Sequence, residues 1–134
     1  MSDEQPSSIR ISDLIARDPV VVAPEDRLVE AAQILAAYDI RGLPVVDGTG
    51  ELVGVISQTD LVRLWASTVS GWRDVPVRDV MTAPALTIHP AATFKEAAER
   101  MTKRNVSRLV VIDEQSGAVL GLLSDSDLVR AVQP

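Results

Sequence analysis

One decapeptide is written twice in this chain, and that duplication constrains the fold more than any single motif. Gly54-Val55-Ile56-Ser57-Gln58-Thr59-Asp60-Leu61-Val62-Arg63 returns as Gly121-Leu122-Leu123-Ser124-Asp125-Ser126-Asp127-Leu128-Val129-Arg130. Six of the ten positions are identical and three more exchange like for like. The surrounding sequence follows the same repeat. Asp79, Pro90, Ala97, Ala98, Val111 and Asp113 each lie 66 residues after Asp13, Pro24, Ala31, Ala32, Val45 and Asp47, and one residue gained before Gly121 makes the later offset 67. Two copies, Ile11–Arg63 and Val77–Arg130, are too long and too few for a solenoid.

A lone half of this size would have little core of its own, so the copies are expected to pack on each other about a pseudo-two-fold axis. With 46% hydrophobic but only 3% aromatic residues, the interior has to be built from Val, Leu, Ile and Ala. Four segments follow: a polar N-terminal tail over 1–10, repeat 1 over 11–66, a connector over 67–76 and repeat 2 over 77–134. The net charge of −6 and the lack of clustered Lys and Arg argue against a nucleic-acid partner. Cysteine is absent and His89 is the single histidine, so no metal site is expected. The polar, acidic start does not read as a secretory signal, and no apolar run is long enough to span a bilayer. The expected location is cytoplasmic, with no membrane partner.

Periodicity predicts β-α-β-β-α in each copy. Val20–Val22 and Leu86–Ile88 suit short strands. Leu28, Ala31, Ala32 and Leu35, matched by Phe94, Ala97, Ala98 and Met101, recur at helical spacing behind Pro24 and Pro90. Leu43–Asp47 with Leu52–Ile56, and Leu109–Asp113 with Val119–Leu123, read as hairpins. A last helix starts at Ser57 or Ser124. The fold class is α+β. Trp65 and Trp72, half of the chain's four aromatic residues, fall near the connector, where they either cover a core edge or seed an interface.

These residues carry a family resemblance. The order β-α-β-β-α, Pro44-Val45-Val46-Asp47, and a glycine followed by two hydrophobics, a serine, two variable residues and an aspartate resemble the cystathionine-β-synthase-type (CBS) domain. The paired copies resemble a Bateman module. The resemblance implies a regulatory sensor, not an enzyme, commonly homodimeric and standing alone, that signals to a downstream protein. It also implies an adenosine-containing ligand in a cleft between repeats: AMP first, then ADP, ATP or S-adenosylmethionine. No cofactor is required, and a ligand-free structural or dimerisation module is the competing reading.

The candidate ligand-binding residues are Ser57, Thr59, Asp60, Ser124, Ser126, Asp127, Arg41 and Arg108; no catalytic residue is proposed, since no base is placed to activate the serines. Ser57 with Asp60, and Ser124 with Asp127, have the spacing of a capping box, in which the serine accepts from an early helix amide and the acid complements the dipole. In the ligand reading the same aspartate accepts from the ribose hydroxyls, and the two roles are compatible. An anion at the first helical turn repels phosphate, so the phosphate needs cations elsewhere. Arg41 and Arg108, just before or at the start of the central strands, are the candidates, although both can equally be solvated or paired with carboxylates. By resemblance, adenine would lie against Ile15–Pro19, Met81–Pro84 and the central strands. The chain departs from the stronger nucleotide-binding pattern: serine replaces the commoner threonine, no histidine precedes Arg108, and Gly42 stands where repeat 2 has Arg108. AMP or a sulfonium ligand is therefore easier to satisfy than ATP.

Overall fold

A computed structural model describes residues 9–15, 18–67 and 70–132. The expected tail thus lies outside the described residues up to residue 8, as do residues 16 and 17 of the expected adenine wall. The chain forms two compact units, each mixing helix and strand: a contiguous one, Val20–Ala85, and a discontinuous one made of Met1–Pro19 with Leu86–Pro134.

In the contiguous unit α1 (Leu28–Tyr38) is followed by β1 (Gly42–Val46), β2 (Leu52–Ser57) and α2 (Gln58–Ala66). The hairpin is antiparallel, with Gly42 opposite Ser57 and Val45 opposite Gly54. Its core is aliphatic, as the composition requires: Leu28, Ala31, Leu43, Val45, Ile56 and Val77 are fully buried. Each large side chain removed from water in this way contributes roughly 1.5–3 kcal/mol.

The expected first strand, Val20–Val22, is reduced to a single parallel bridge between Val22 and Val45. Proline chemistry explains why. The Val22 amide donates to the Pro44 carbonyl at 3.1 Å and the Val46 amide to the Val22 carbonyl at 2.8 Å, but the next rung would need an N–H from Pro44, which has none. In the second copy that position is Val110, whose amide reaches the Leu86 carbonyl at 2.8 Å. There the strand forms.

The discontinuous unit accordingly holds a three-stranded sheet, β3 (Thr87–Ile88), β4 (Arg108–Ile112) and β5 (Val119–Ser124), in the order β3-β4-β5. β3 runs parallel to β4 and β5 antiparallel to it. The helices are α3 (Phe94–Arg104) and α4 (Asp125–Ala131). Both α1 and α3 stop at a left-handed residue, Asp39 and Asn105, each at φ 52°, in the position that ends helices by turning the chain.

Each unit also takes in the segment that opens the other copy. Ile11, fully buried, donates its amide to the Ala92 carbonyl at 3.1 Å, and Ser12 to that of Pro90 at 3.1 Å. Val77, 66 residues later, does the same with Asp26 at 2.8 Å, and Arg78 with Pro24 at 2.9 Å. The end of the connector belongs to the contiguous unit: Leu28 donates to the Val75 carbonyl at 2.9 Å, and Trp72 packs edge-on to Trp65 with ring centroids 5.1 Å apart.

Candidate ligand-binding site

The doubled decapeptide forms the same local structure twice: a strand that ends on a serine and turns at once into a helix. The Ser57 hydroxyl oxygen accepts from the Asp60 amide at 3.2 Å, while Asp60 Oδ2 accepts from the Ser57 amide at 2.9 Å and from its hydroxyl at 3.0 Å. For Ser124 and Asp127 the corresponding distances are 3.2, 2.8 and 3.1 Å. The capping reading is realised in full in both copies. A hydroxyl cap of this kind stabilises its helix by about 1 kcal/mol.

The glycine of the motif has its own cause. A Cβ on Gly54 would stand 2.8 Å from the Thr82 carbonyl oxygen and 2.8 Å from the Met81 sulfur. Residues 81–82 run that close because Val55 and Thr82 exchange backbone hydrogen bonds of 3.0 and 2.8 Å. At Gly121 the close neighbour is the Ile15 side chain, 3.2 Å away.

The strand-to-helix turn also fixes what lies beside it. The Gln58 amide donates to the Arg41 carbonyl, and the Asp125 amide to the Ser107 carbonyl, both at 2.9 Å. Arg41 thus flanks the first cap, next to Gly42, which pairs with Ser57; Arg108 pairs directly with Ser124. Each unit brings an arginine, a serine and an aspartate to a single strand end. The arginines are not equivalent. The Arg41 side chain is exposed and makes no hydrogen bond or ion pair among the described residues, whereas Arg108 is half-buried and donates to the Ser107 hydroxyl at 3.3 Å. Thr59, exposed, and Ser126, half-buried, make no side-chain hydrogen bond among the described residues.

Two participants escaped the sequence reading. The outer oxygen of Asp60, Oδ1, accepts the Thr82 hydroxyl at 3.2 Å. That of Asp127 is paired with the guanidinium of Arg130. Arg130 had a sequence signal, since an acid and a base three apart on a helix lie on one face. Thr82 had none, because it arrives from 22 residues away along the chain.

His89 lines a groove between β3 and α3 with Leu86, Ile88, Glu96, Arg100 and Lys103. None of the candidate residues borders that groove, and no group of three or more His, Cys, Asp or Glu suited to a metal occurs among the described residues. No described helix is long and apolar enough to cross a membrane.

A hairpin that ends in a serine-capped helix, present twice in one chain, defines a tandem α+β repeat with a hydroxyl and a carboxylate at each strand-to-helix turn. The CBS domain family model matches residues 11–67 and 77–134, and the chain belongs to that family. It is 29% identical over 121 residues to inosine-5'-monophosphate dehydrogenase of Methanocaldococcus jannaschii, a match covering 90% of this chain but only 23% of the enzyme. The chain therefore spans under a quarter of that relative. The solved CBS domain pair of protein MJ0100, in complex with 5'-methylthioadenosine and S-adenosyl-L-methionine, matches with a TM-score of 0.83 and 27% identity, covering 93% of this chain and 100% of that one. The structure of CBSX2 in complex with AMP matches with a TM-score of 0.76 and 29% identity, covering 91% and 94%.

Proposed function

We propose that this CBS pair is a regulatory sensor for an adenosine-containing ligand, AMP before ADP, ATP or S-adenosylmethionine, and not a catalyst. The observation that carries the reading is the gathering of an arginine, a serine and an aspartate at one strand end in each unit. Asp60 and Asp127 would accept the ribose hydroxyls, with Ser57, Thr59, Ser124 and Ser126 beside them. Arg41 and Arg108 would meet phosphate. The two solved pairs carrying adenosine ligands support the choice of ligand class. With one candidate phosphate-binding arginine per unit, a single phosphate is better matched than three, since each charge-assisted bond contributes roughly 1.5–3 kcal/mol.

A thermal-shift panel of AMP, ADP, ATP, S-adenosylmethionine, 5'-methylthioadenosine and NADH tests this. A ligand present at 100 times its dissociation constant stabilises the fold by about 2.7 kcal/mol. Silence across the panel would sink the proposal. Binding that survives Asp60→Ala combined with Asp127→Ala would remove the ribose assignment.

A second reading, a dimerisation module, has its own observation. Large apolar side chains are exposed at equivalent places, Val62 and Trp65 on α2, Val129 on α4 and Val132 just after it. A homodimer would cover them, and a downstream protein that senses the bound state is the further partner the sensor role calls for.

A further inference from the structure

The two copies of the motif differ where it matters for a diol, at the outer carboxylate oxygen. Asp60 Oδ1 receives a neutral donor, the Thr82 hydroxyl, at 3.2 Å. Asp127 Oδ1 receives a cation, the guanidinium of Arg130, from the same helix. In sequence, the residue 66 positions before Thr82 is Ala16, whose methyl side chain carries no donor. The side chain of Arg63, the counterpart of Arg130, makes no hydrogen bond or ion pair among the described residues, and the outer oxygen of Asp60 accepts from Thr82.

A ribose binds a carboxylate by donating its two hydroxyls to it. At Asp60 the incoming diol competes with one hydroxyl, which can rotate away at small cost. At Asp127 it competes with a charge-assisted bond, roughly twice as strong as a neutral one, at a side chain only 19% exposed. We infer that the two motifs are unequal: Asp60 is the diol-accepting carboxylate, and Arg130 holds Asp127 out of that role, so that an uncharged adenosine ligand binds at one equivalent per chain. This rests on the adenosine reading above and narrows its ribose acceptor from both aspartates to Asp60. Arg130 acts by occupying an oxygen, not by touching the ligand. The Arg130 side chain is 69% exposed, so its replacement opens no core cavity and leaves the unit folded.

Isothermal titration calorimetry of the whole chain with 5'-methylthioadenosine, which has the diol and adenine but no phosphate, is the test. The expected result is one equivalent, weakened about tenfold or more by Asp60→Asn through the loss of charge-assisted acceptance. Arg130→Gln raises the stoichiometry to two, and Arg130→Gln with Asp127→Asn returns it to one. Two equivalents in the unaltered protein, full binding by Asp60→Asn, or a single equivalent in Arg130→Gln each overturn the inference. If neither the unaltered protein nor Arg130→Gln takes up 5'-methylthioadenosine, and AMP is silent too, the adenosine reading itself fails and takes this inference with it. Circular dichroism melts of each variant separate lost binding from lost fold.

Discussion

Gly54 lies against Thr82 so closely that a single methyl on its α-carbon would stand 2.8 Å from the Thr82 carbonyl oxygen. That oxygen cannot yield easily, because it accepts the Val55 amide at 3.0 Å. Gly54→Ala should therefore destabilise the protein by roughly 1–3 kcal/mol, the usual range for overpacking. Gly121→Ala meets a side chain at 3.2 Å and should cost less. Urea denaturation of the two variants decides it: equal midpoints would show that the backbone contact is not what demands glycine.

The caps give a second expectation. Ser57→Ala and Ser124→Ala each remove the hydroxyl that receives a helix amide, and each should cost about 1 kcal/mol. Glycine at either position should recover most of the loss, because glycine is itself a tolerable cap. Chemical denaturation of the four variants measures both effects. An alanine variant as stable as the parent would mean that water replaces the cap.

Acid sensitivity is expected from the first hairpin turn. Asp47 is held below the ordinary aspartate range first by the Thr49 hydroxyl at 2.6 Å, then by the amides of Glu51 at 3.0 Å and Thr49 at 2.9 Å. Its folded value lies below its unfolded one, so its contribution is complete above about pH 4 and is lost as pH falls through the folded value. Thr49→Ala removes the largest cause and should flatten the fall of stability below about pH 4. Denaturation midpoints at several acidic pH values measure the slope, and an unchanged slope would assign the effect elsewhere.

Trp65 is 48% exposed and Val62 58% on the same helix. If a second copy covers them, Trp65→Glu should convert the assembly to monomer, because a carboxylate buried at an apolar contact is strongly disfavoured. Sedimentation velocity reads this directly. A parent that already sediments as a monomer at high concentration would reject the dimer.

Much of this fold was legible in the sequence because repetition supplies an internal control. Wherever both copies agreed, as in the Ala31-Ala32 and Ala97-Ala98 helices or the two serine caps, local chemistry decides the structure and the reading needed no tertiary information. At Val20–Val22 the β-branched run forms only a bridge, because such residues favour a strand only where the neighbour can complete the ladder, and Pro44 cannot. The site was legible in part for the same reason. Ser57 with Asp60 and Ser124 with Asp127 are contacts within one turn, written in adjacent residues. Thr82 meets Asp60 through a backbone pairing with Val55 that no local pattern encodes.

The bond from the Ile11 amide to the Ala92 carbonyl also sets an order of assembly. During synthesis the contiguous unit is complete once Ala85 has emerged, while Ile9–Ile15 must wait, unsatisfied, for β3 and α3 to be made. The loop that closes this contact spans 81 residues, a late and entropically costly event beside the local hairpins. In vectorial folding the earliest part of the described chain is thus among the last to find its place, and a chain truncated after Ala85 and released from the ribosome should already protect Leu43 and Ile56 while leaving Ile11 open to protease.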